Sequence, residues 1–189
     1  CPTQNAVNNL NKEKINEGVF FTGDIMYDAF LKFSDKNNNT DGKTPFSDYV
    51  LATIHRRENI FSSKKLTIII EHLDRISETC NVIMPLHPHT KKMLEEYNIK
   101  PKINLIDPQG YLSMLSLLKN CKLVITDSGG LQKEAFFAKK KCIVVRKQTE
   151  WTELVNEGAS SLSDAKHIYN NYKKTLQENK SSFFSKIYG

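Results

Sequence analysis

The sequence has few cysteines, and their spacing does not suit a metal site. It contains four, at positions 1, 80, 121 and 142, and no two of them are separated by only two residues. Pairs of closely spaced cysteines are the usual signature of a structural zinc site, so none is expected here. Cys121 and Cys142 border apolar runs, where reduced cysteine acts as a small hydrophobic residue. This usage is typical of a reducing compartment, and we expect a cytoplasmic protein.

Long hydrophobic segments and dense basic clusters are also missing. No apolar run approaches the roughly 20 residues that span a bilayer, so no membrane partner is expected. Residues 1–14 lack the basic and apolar regions of a secretory signal and contain no initiator methionine, so we expect a fragment of a longer chain. The net charge of +6 comes from dispersed lysines. An anionic ligand suits this charge, whereas nucleic acid is not an expected partner.

Apolar runs and helical patterns alternate along the 189 residues, which suit one domain. Strands are predicted at residues 18–23, 48–55, 81–87, 103–107, 122–127 and 141–146, and helices at 63–80, 111–120 and 131–140. Most of the apolar runs are continuous, which is typical of strands buried on both faces of a parallel sheet. The order predicts an α/β fold, a Rossmann-like three-layer arrangement with a parallel sheet between helices.

Two further segments complete the predicted organisation. Residues 34–48 are polar and rich in asparagine, which predicts a loop. Near the C-terminus, Ile168, Tyr172 and Leu176 recur at helical spacing after a cap-like Ser-Asp pair. This pattern predicts a helix that docks on the domain through these three side chains.

Polar residues gather where the predicted strands end. They are Gly23-Asp24, residues 55–59, residues 87–90, residues 107–110, residues 127–130 and Arg146. In open parallel sheets, ligands bind outside the carboxyl ends of the strands. The ligand site is therefore predicted at this edge of the sheet.

One serine and two glycines follow the fifth predicted strand. A helix that begins near Gly130 presents free backbone N–H groups and a positive dipole end, and glycine lets an anion approach closely. Ser128, Gly129 and Gly130 therefore form a candidate phosphate cradle, although a capped turn without a ligand has the same pattern. Glu134, one helical turn further on, is suited to accept both hydroxyls of a ribose. Together these residues favour a nucleotide diphosphate.

A histidine and two arginines end the second predicted strand. Arg56 suits bidentate phosphate contacts, and His55 can donate a proton or a hydrogen bond near neutral pH. The competing interpretation is a salt-bridged turn in which Glu58 neutralises one of the arginines. His87 ends the next strand, where it is compatible with a ligand contact or with a structural hydrogen bond. None of the histidines has the spacing of a metal ligand, so no metal is predicted.

The candidate site for a base is the segment that ends at Met114. Gly110 and the backbone up to Met114 lie at the start of the predicted helix 111–120. Backbone N–H and C=O groups can bind a uracil edge without a diagnostic side chain. This segment is therefore the predicted contact for uracil.

Five motifs in this sequence resemble those of a known family. They are GDIMYDA (23–29), HRREN (55–59), HPHT (87–90), the stretch 107–135 that contains TDSGGLQKEA, and TEWTELVNEG (149–158). Their order resembles that of the non-hydrolysing UDP-N-acetylglucosamine 2-epimerases, over nearly the whole chain. The resemblance implies one lobe of a glycosyltransferase-B type two-domain fold. Residues 1–189 would form the C-terminal UDP-binding lobe, without the N-terminal catalytic lobe, and the full-length enzyme would be a homodimer.

The resemblance also implies a reaction and roles for individual residues. The family interconverts UDP-GlcNAc and UDP-ManNAc by eliminating UDP and adding it back, which supplies precursors of surface polysaccharides without a cofactor. By position, the implied contacts are Ser128, Gly129, Gly130 and Arg56 for the diphosphate, Glu134 for the ribose, Met114 for uracil and His55 for the departure of UDP. Arg56 and His87 also resemble contacts of a second, activating UDP-sugar in some members.

Two departures from the family pattern bear on the expected activity. The carboxylates proposed as acid and base belong to the N-terminal lobe, so we expect this chain alone not to epimerise. TEWTE replaces the common TERPE, and GDIMYD differs from GNxxxD. Both features resemble the branch that acts on UDP-2,3-diacetamido-2,3-dideoxyglucuronic acid. A hydrolysing 2-epimerase, a type-B glycosyltransferase and a non-catalytic UDP-sugar-binding module stay open as alternatives.

Overall fold

A computed structural model describes residues 1–34, 48–177 and 187–188 of the chain. The strands are β1 (Tyr49–Thr53), β2 (Asn81–Pro85), β3 (Asn104–Ile106), β4 (Leu123–Thr126), β5 (Lys141–Val144) and β6 (Ser160–Leu162). The helices are α1 (Gln4–Lys12), α2 (Ile25–Ser34), α3 (Arg57–Ile60), α4 (Ser63–Ser77), α5 (Pro88–Glu96), α6 (Tyr111–Asn120), α7 (Gly129–Phe137), α8 (Thr152–Asn156) and α9 (Ile168–Gln177). Nearly all of the predicted loop 34–48 lies outside the described residues. No helix in the described ranges is long and apolar enough to cross a bilayer.

The strands form one parallel sheet in the order β3-β2-β1-β4-β5-β6. The chain builds outward from β1 to β3 and then returns to the other side of β1 to place β4. Thr53 at the end of β1 therefore lies opposite Thr126 at the end of β4. Such a reversal of strand order opens a crevice at the carboxyl ends of the two central strands. The topology thus places the candidate residues after β1 and β4 side by side.

Side chains from both faces of the sheet are buried, which explains the continuous apolar runs. Val50 and Ala52 of β1 pack in a core with α4 and α9. Tyr49 and Leu51 point the other way and pack with α6 and α7. Because alternate residues of a strand face opposite sides, both sets must be apolar when helices cover both faces. The predicted three-layer α/β fold is confirmed.

Helix α4 shows the predicted stripe and a defined start. Leu66, Ile69, Ile70, Leu73 and Ile76 are all buried, as the periodicity predicts. The preceding serine caps the helix by accepting a hydrogen bond from the backbone N–H of Lys65 through its hydroxyl. The predicted start at residue 63 is therefore confirmed, whereas the helix ends at Ser77, before the predicted end at residue 80.

Two strand assignments differ from the prediction. Residues 18–23 are not a strand: Phe20 and Phe21 are 70% and 52% exposed, and the flanking Gly18 and Gly23 adopt positive φ angles of 69° and 74°. Glycines in that conformation interrupt extended backbone. Apolar residues alone do not determine whether a segment pairs with a neighbouring strand. In contrast, β6 was not predicted, because its sequence, Ser-Ser-Leu, is short and mostly polar.

The C-terminal helix docks through only part of its predicted face. Ile168 and Tyr172 are buried, whereas Leu176 is 54% exposed. Helix α9 packs against α4, and its first two turns make that contact. The inclusion of Leu176 in the docking face was wrong, because the last turn of α9 extends beyond the core.

Candidate functional site

A cavity of about 390 Å³ lies at the carboxyl ends of the central strands. Its walls contain six of the predicted site residues: His55, His87, Met114, Ser128, Gly130 and Glu134. Thr53, Ile54, Pro85, Pro108, Gln109, Tyr111 and Leu131 complete the lining. Arg56 and Gly129 are not part of the lining, although both adjoin residues that are. The fold thus brings together side chains from four separate segments of the chain.

Ser128 begins helix α7 in the manner of a typical N-cap. Its hydroxyl oxygen accepts a hydrogen bond of 3.4 Å from the backbone N–H of Leu131, and its own N–H donates to Thr126 Oγ1 at 2.9 Å. The capped helix leaves N–H groups of its first turn without partners inside the helix. Since Ser128 and Gly130 line the cavity, the positive end of the α7 dipole faces that space. This geometry suits an anion.

The two glycines of the cradle have different surroundings. A Cβ atom at Gly129 would collide with Oε1 of Glu150, whereas one at Gly130 would make an ordinary contact of 3.5 Å with Met26 Cε. The sequence suggested that both glycines serve the close approach of a ligand. At Gly129, the group that comes close is instead a carboxylate of the protein itself.

Glu150 is held by two arginines beside that glycine. Its Oε2 lies 2.6 Å from Arg146 Nη1, and its Oε1 lies 3.8 Å from Arg56 Nη2. Burial acts to raise the pKa of Glu150, but hydrogen bonds from its own backbone N–H and from Arg146, with the charges of both arginines, lower the pKa overall. Glu58 pairs with Arg146 at 3.6 Å, and not with an arginine of HRREN as the competing interpretation had it. Sequence reasoning did not identify Glu150.

Arg56 is fixed at the rim but keeps an exposed end. Its Nε donates a hydrogen bond of 3.2 Å to the backbone oxygen of Asp127. Its side chain is nevertheless 40% exposed, and its pairing with Glu150 is long. The guanidinium group is therefore anchored next to the start of α7 with surface left for an anionic ligand.

Asp127 connects the ends of β1 and β4. Its side chain is fully buried, and its carboxylate accepts hydrogen bonds from the backbone N–H groups of His55 and Arg56 and from Asn59 Nδ2, at distances of 2.8–3.1 Å. Its Oδ1 also lies 3.4 Å from His55 Nδ1. The sequence marked Asp127 only as a polar strand end, because its partners lie about 70 positions earlier in the chain.

Three histidines are in contact at the same edge. The rings of His55 and His87 stack with 5.4 Å between centroids, and His87 meets His89 edge to face at 5.3 Å. Burial, followed by the charges of His55 and His89, lowers the pKa of His87. His87 also caps helix α5, since its Nδ1 accepts a hydrogen bond of 3.2 Å from His89 N–H. In the described part of the chain, no three His, Cys, Asp or Glu side chains are grouped so as to hold a metal.

Glu134 faces the cavity from the second turn of α7. Burial raises its pKa, and a hydrogen bond from Tyr111 and the charge of Lys133 oppose that rise. An acceptor placed in a partly buried wall is suited to bind hydroxyl groups, because they replace the lost hydration. Tyr111 was not predicted as a site residue, although it lies within the segment assigned to the base.

Both departures from the epimerase motifs meet at one buried lysine. Lys133 Nζ lies 2.6 Å from Asp24 Oδ2, with both side chains at least nine-tenths buried, and 4.4 Å from the centre of the Trp151 ring. Trp151 Nε1 in turn donates a hydrogen bond of 2.9 Å to the backbone oxygen of Gly129. Asp24 and Trp151, one from each altered motif, therefore form one connected group with Lys133 behind the start of α7.

The whole chain, residues 1–189, matches the family model described as UDP-N-acetylglucosamine 2-epimerase. A similar protein is the UDP-2,3-diacetamido-2,3-dideoxy-D-glucuronate 2-epimerase of Pseudomonas aeruginosa, 42% identical over 87% of this chain and 48% of its own length. The UDP-N-acetylglucosamine 2-epimerase of Methanocaldococcus jannaschii is 40% identical over 86% of this chain and 49% of its own length.

A solved structure agrees with this match. The crystal structure of the M. jannaschii enzyme in complex with UDP-GlcNAc and UDP superimposes on the whole chain with a TM-score of 0.91 and 34% sequence identity, and the match covers 56% of that structure. The chain thus spans about half the length of the relatives that it matches. It belongs to the UDP-N-acetylglucosamine 2-epimerase family.

Proposed function

We propose that this chain is the UDP-binding, C-terminal lobe of a UDP-sugar 2-epimerase, which takes its acid and base from an N-terminal lobe. The observation that carries the proposal is the cavity at the carboxyl ends of the central strands. It combines a helix start, a partly buried carboxylate and a histidine, as a nucleoside diphosphate with a departing sugar would require. The similarity to an enzyme crystallised with UDP-GlcNAc and UDP supports it.

The proposed pose of UDP follows from the cavity walls. The diphosphate lies against Ser128, Gly129 and Gly130 at the start of α7, with Arg56 adding positive charge from the rim. The ribose hydroxyls donate hydrogen bonds to Glu134, one helical turn away. Uracil then lies toward α6, near Met114.

The main catalytic requirement of the proposed reaction is stabilisation of the leaving diphosphate. Breakage of the bond between C1 and oxygen leaves the electron pair on the diphosphate and acidifies the hydrogen at C2. Removal of that proton gives a 2-acetamidoglycal, and re-addition of UDP with protonation on the opposite face inverts C2. The α7 dipole, Arg56 and His55 stabilise the departing diphosphate. No hydride carrier or other cofactor enters these steps.

Two further assignments extend the proposal. Arg56 and His87 are candidates for a second UDP-sugar site, because His87 lines the cavity and its ring stacks on His55. The full-length enzyme is proposed to be a homodimer, acting in the cytoplasm on precursors of surface polysaccharides.

A second candidate substrate is a UDP-diacetamido uronate in place of UDP-GlcNAc. The group formed by Asp24, Lys133 and Trp151 contains both departures from the motifs of the plain epimerases. The 42% identity with the P. aeruginosa enzyme favours the same choice. Analysis of the products of the full-length enzyme distinguishes these substrates, and it also separates epimerisation from hydrolysis to UDP and a free sugar.

Calorimetric titration of the chain with UDP tests the binding proposal. Loss of a hydrogen bond to a charged group is worth about 1.5–3 kcal/mol, so Glu134→Gln should weaken binding by about 10-fold or more, and Ser128→Ala should weaken it severalfold. Glu96→Gln, at an exposed position on α5, is the matched control and should bind as the unaltered chain does. Absence of UDP binding, or equal affinity in all four proteins, would contradict the proposal.

The same chain tests the division of labour between lobes. Incubated with UDP-GlcNAc or a diacetamido uronate analogue, it should give no epimer detectable by NMR. Turnover by these 189 residues would show that the acid and base lie on this lobe.

A further inference from the structure

The buried carboxylate of Asp127 restricts where the His55 ring can carry a proton. Nδ1 lies 3.4 Å from Asp127 Oδ1, and the backbone N–H of His55 donates to the same carboxylate at 3.1 Å. The ring lines the cavity, and no hydrogen bond to its Nε2 occurs among the described residues. One nitrogen therefore faces a fixed acceptor while the other remains for a ligand.

We propose that Asp127 is a positioning residue that keeps the proton on His55 Nδ1, so that Nε2 is the atom that exchanges a proton with the departing UDP. This inference rests on the proposed function of the cavity. It assigns to Asp127 a part in the reaction beyond joining two strands.

Asp127 can act in this way because its carboxylate offers only acceptors. Oδ1 and Oδ2 together accept three other N–H groups, from His55, Arg56 and Asn59, and the side chain is completely buried. These bonds hold the carboxylate still. A neutral imidazole beside such a fixed acceptor is stabilised with its hydrogen on the facing nitrogen.

The neighbouring ring is expected to hold the opposite tautomer. His87 Nδ1 accepts a hydrogen bond from His89 N–H, so in its neutral form His87 must carry its hydrogen on Nε2. The two rings are stacked, and positive charge on both would be repulsive. His55 is therefore faced by Asp127 at one edge and by the stacked ring of His87 across its face.

The step that this arrangement supports balances without further reagents. When the bond between C1 and oxygen breaks, its electron pair stays on the diphosphate oxygen, and the proton on Nε2 of the imidazolium passes to that oxygen. The ring becomes neutral and retains hydrogen on Nδ1 next to Asp127. Re-addition of UDP reverses the transfer. The C2 proton goes separately to a carboxylate base of the N-terminal lobe.

Nitrogen-15 NMR of the histidine rings tests the tautomers in the unaltered, ligand-free chain. At a pH where both rings are neutral, His55 should show hydrogen on Nδ1 and His87 should show it on Nε2. Spectra of His55→Gln and His87→Gln assign the two signals. Hydrogen on Nε2 of His55 would overturn the inference whether or not the chain binds UDP.

Titration with UDP tests the role in the reaction. The backbone signals of Ser128–Gly130 report binding, and the Nε2 signal of His55 should shift with the same midpoint. His167, which pairs with Asp164 at 2.7 Å on the surface, is the control and should not respond. Binding without any shift at His55 Nε2 would contradict the inference and leave the proposed function standing, whereas absence of binding would contradict the proposed function alone.

The Asp127→Asn variant distinguishes an effect of Asp127 on the His55 tautomer from an effect on folding. In Asp127→Asn, the amide offers a donor toward Nδ1, so most of the neutral His55 should move its hydrogen to Nε2. If this variant folds, as judged by circular dichroism, and His55 keeps its hydrogen on Nδ1, Asp127 does not set the tautomer. If it does not fold, the spectrum of the unaltered chain decides.

Discussion

Gly129 and Gly130 are adjacent in the cradle but are subject to different constraints. The carboxylate of Glu150 lies where a side chain at position 129 would begin, whereas position 130 has room for a methyl group. Neither glycine has a positive φ angle, so backbone conformation does not require glycine at either position. The constraint on Gly129 is thus a contact with one flexible side chain.

Replacing each glycine with alanine should separate the two constraints. Gly130→Ala should raise the free energy of unfolding by about 0.4–1 kcal/mol, because alanine restricts the unfolded chain at a compatible position. Gly129→Ala should gain less, because Glu150 must move from its arginine partners, which removes a pair worth about 0.2–1 kcal/mol. Urea denaturation measures both values.

A third substitution provides the control for this comparison. In a Glu150→Ala background, the two alanine substitutions should have the same effect within error. A deficit of Gly129→Ala that persists there would show that Glu150 is not its cause.

The site residues were predictable where the chemistry is local in the sequence. Ser128, Gly130 and Glu134 lie within seven consecutive positions, so the pattern placed them together near the start of a helix. Glu150 and the function of Asp127 depend on contacts with distant segments, and no local pattern specifies such contacts. The binding roles of the predicted residues stay predictions that the UDP titration tests.

Helices and strands were likewise predictable where a local sequence pattern identifies them. Strands β1, β2, β4 and β5 are buried on both faces, so a continuous apolar run identifies each of them. Strand β6 is a short edge strand that needs few apolar residues, and its sequence gives little signal. The prediction of a strand at residues 18–23 was wrong, because hydrophobic content alone does not determine whether a segment pairs with a neighbouring strand.

Two substitutions in helix α9 compare the effect on stability of a buried side chain with that of an exposed one. Ile168→Ala should lower the free energy of unfolding by about 2–5 kcal/mol, because it removes a completely buried side chain from the core shared with α4. Leu176→Ala is the matched control, and at 54% exposure it should change stability by less than about 0.5 kcal/mol. Equal losses in chemical denaturation would mean that both turns of α9 are docked.

At the scale of the whole protein, the N-terminal segment before β1 is attached to the core. Residues before β1 reach the three-layer core through Phe30 and through the buried pair of Asp24 with Lys133. Asp24 N–H also donates to the backbone oxygen of Tyr188, which joins the two ends of the described chain. The N-terminal segment is therefore packed against the rest of the described chain.

Breaking the buried pair should destabilise the whole fold. Lys133→Met leaves Asp24 buried without its partner, which typically costs about 3–5 kcal/mol. Adding Asp24→Asn should restore most of this loss, since the uncompensated charge is removed. The exposed pair of Lys122 with Asp48 is the control, and Lys122→Met should cost less than about 1 kcal/mol in the same denaturation experiment. A small effect of Lys133→Met would contradict this account.

The reversal of strand order also determines when the cavity can form during folding. Part of its lining follows β1 and part follows β4, and the Asp127 carboxylate accepts a hydrogen bond from the backbone N–H of His55, 72 positions earlier. Local helices form quickly, but closing so long a loop is slow because the entropy is lost before the contacts are gained. A newly made chain therefore lacks this cavity until β4 has inserted beside β1. The cavity is completed late in folding, together with the central pairing of the sheet.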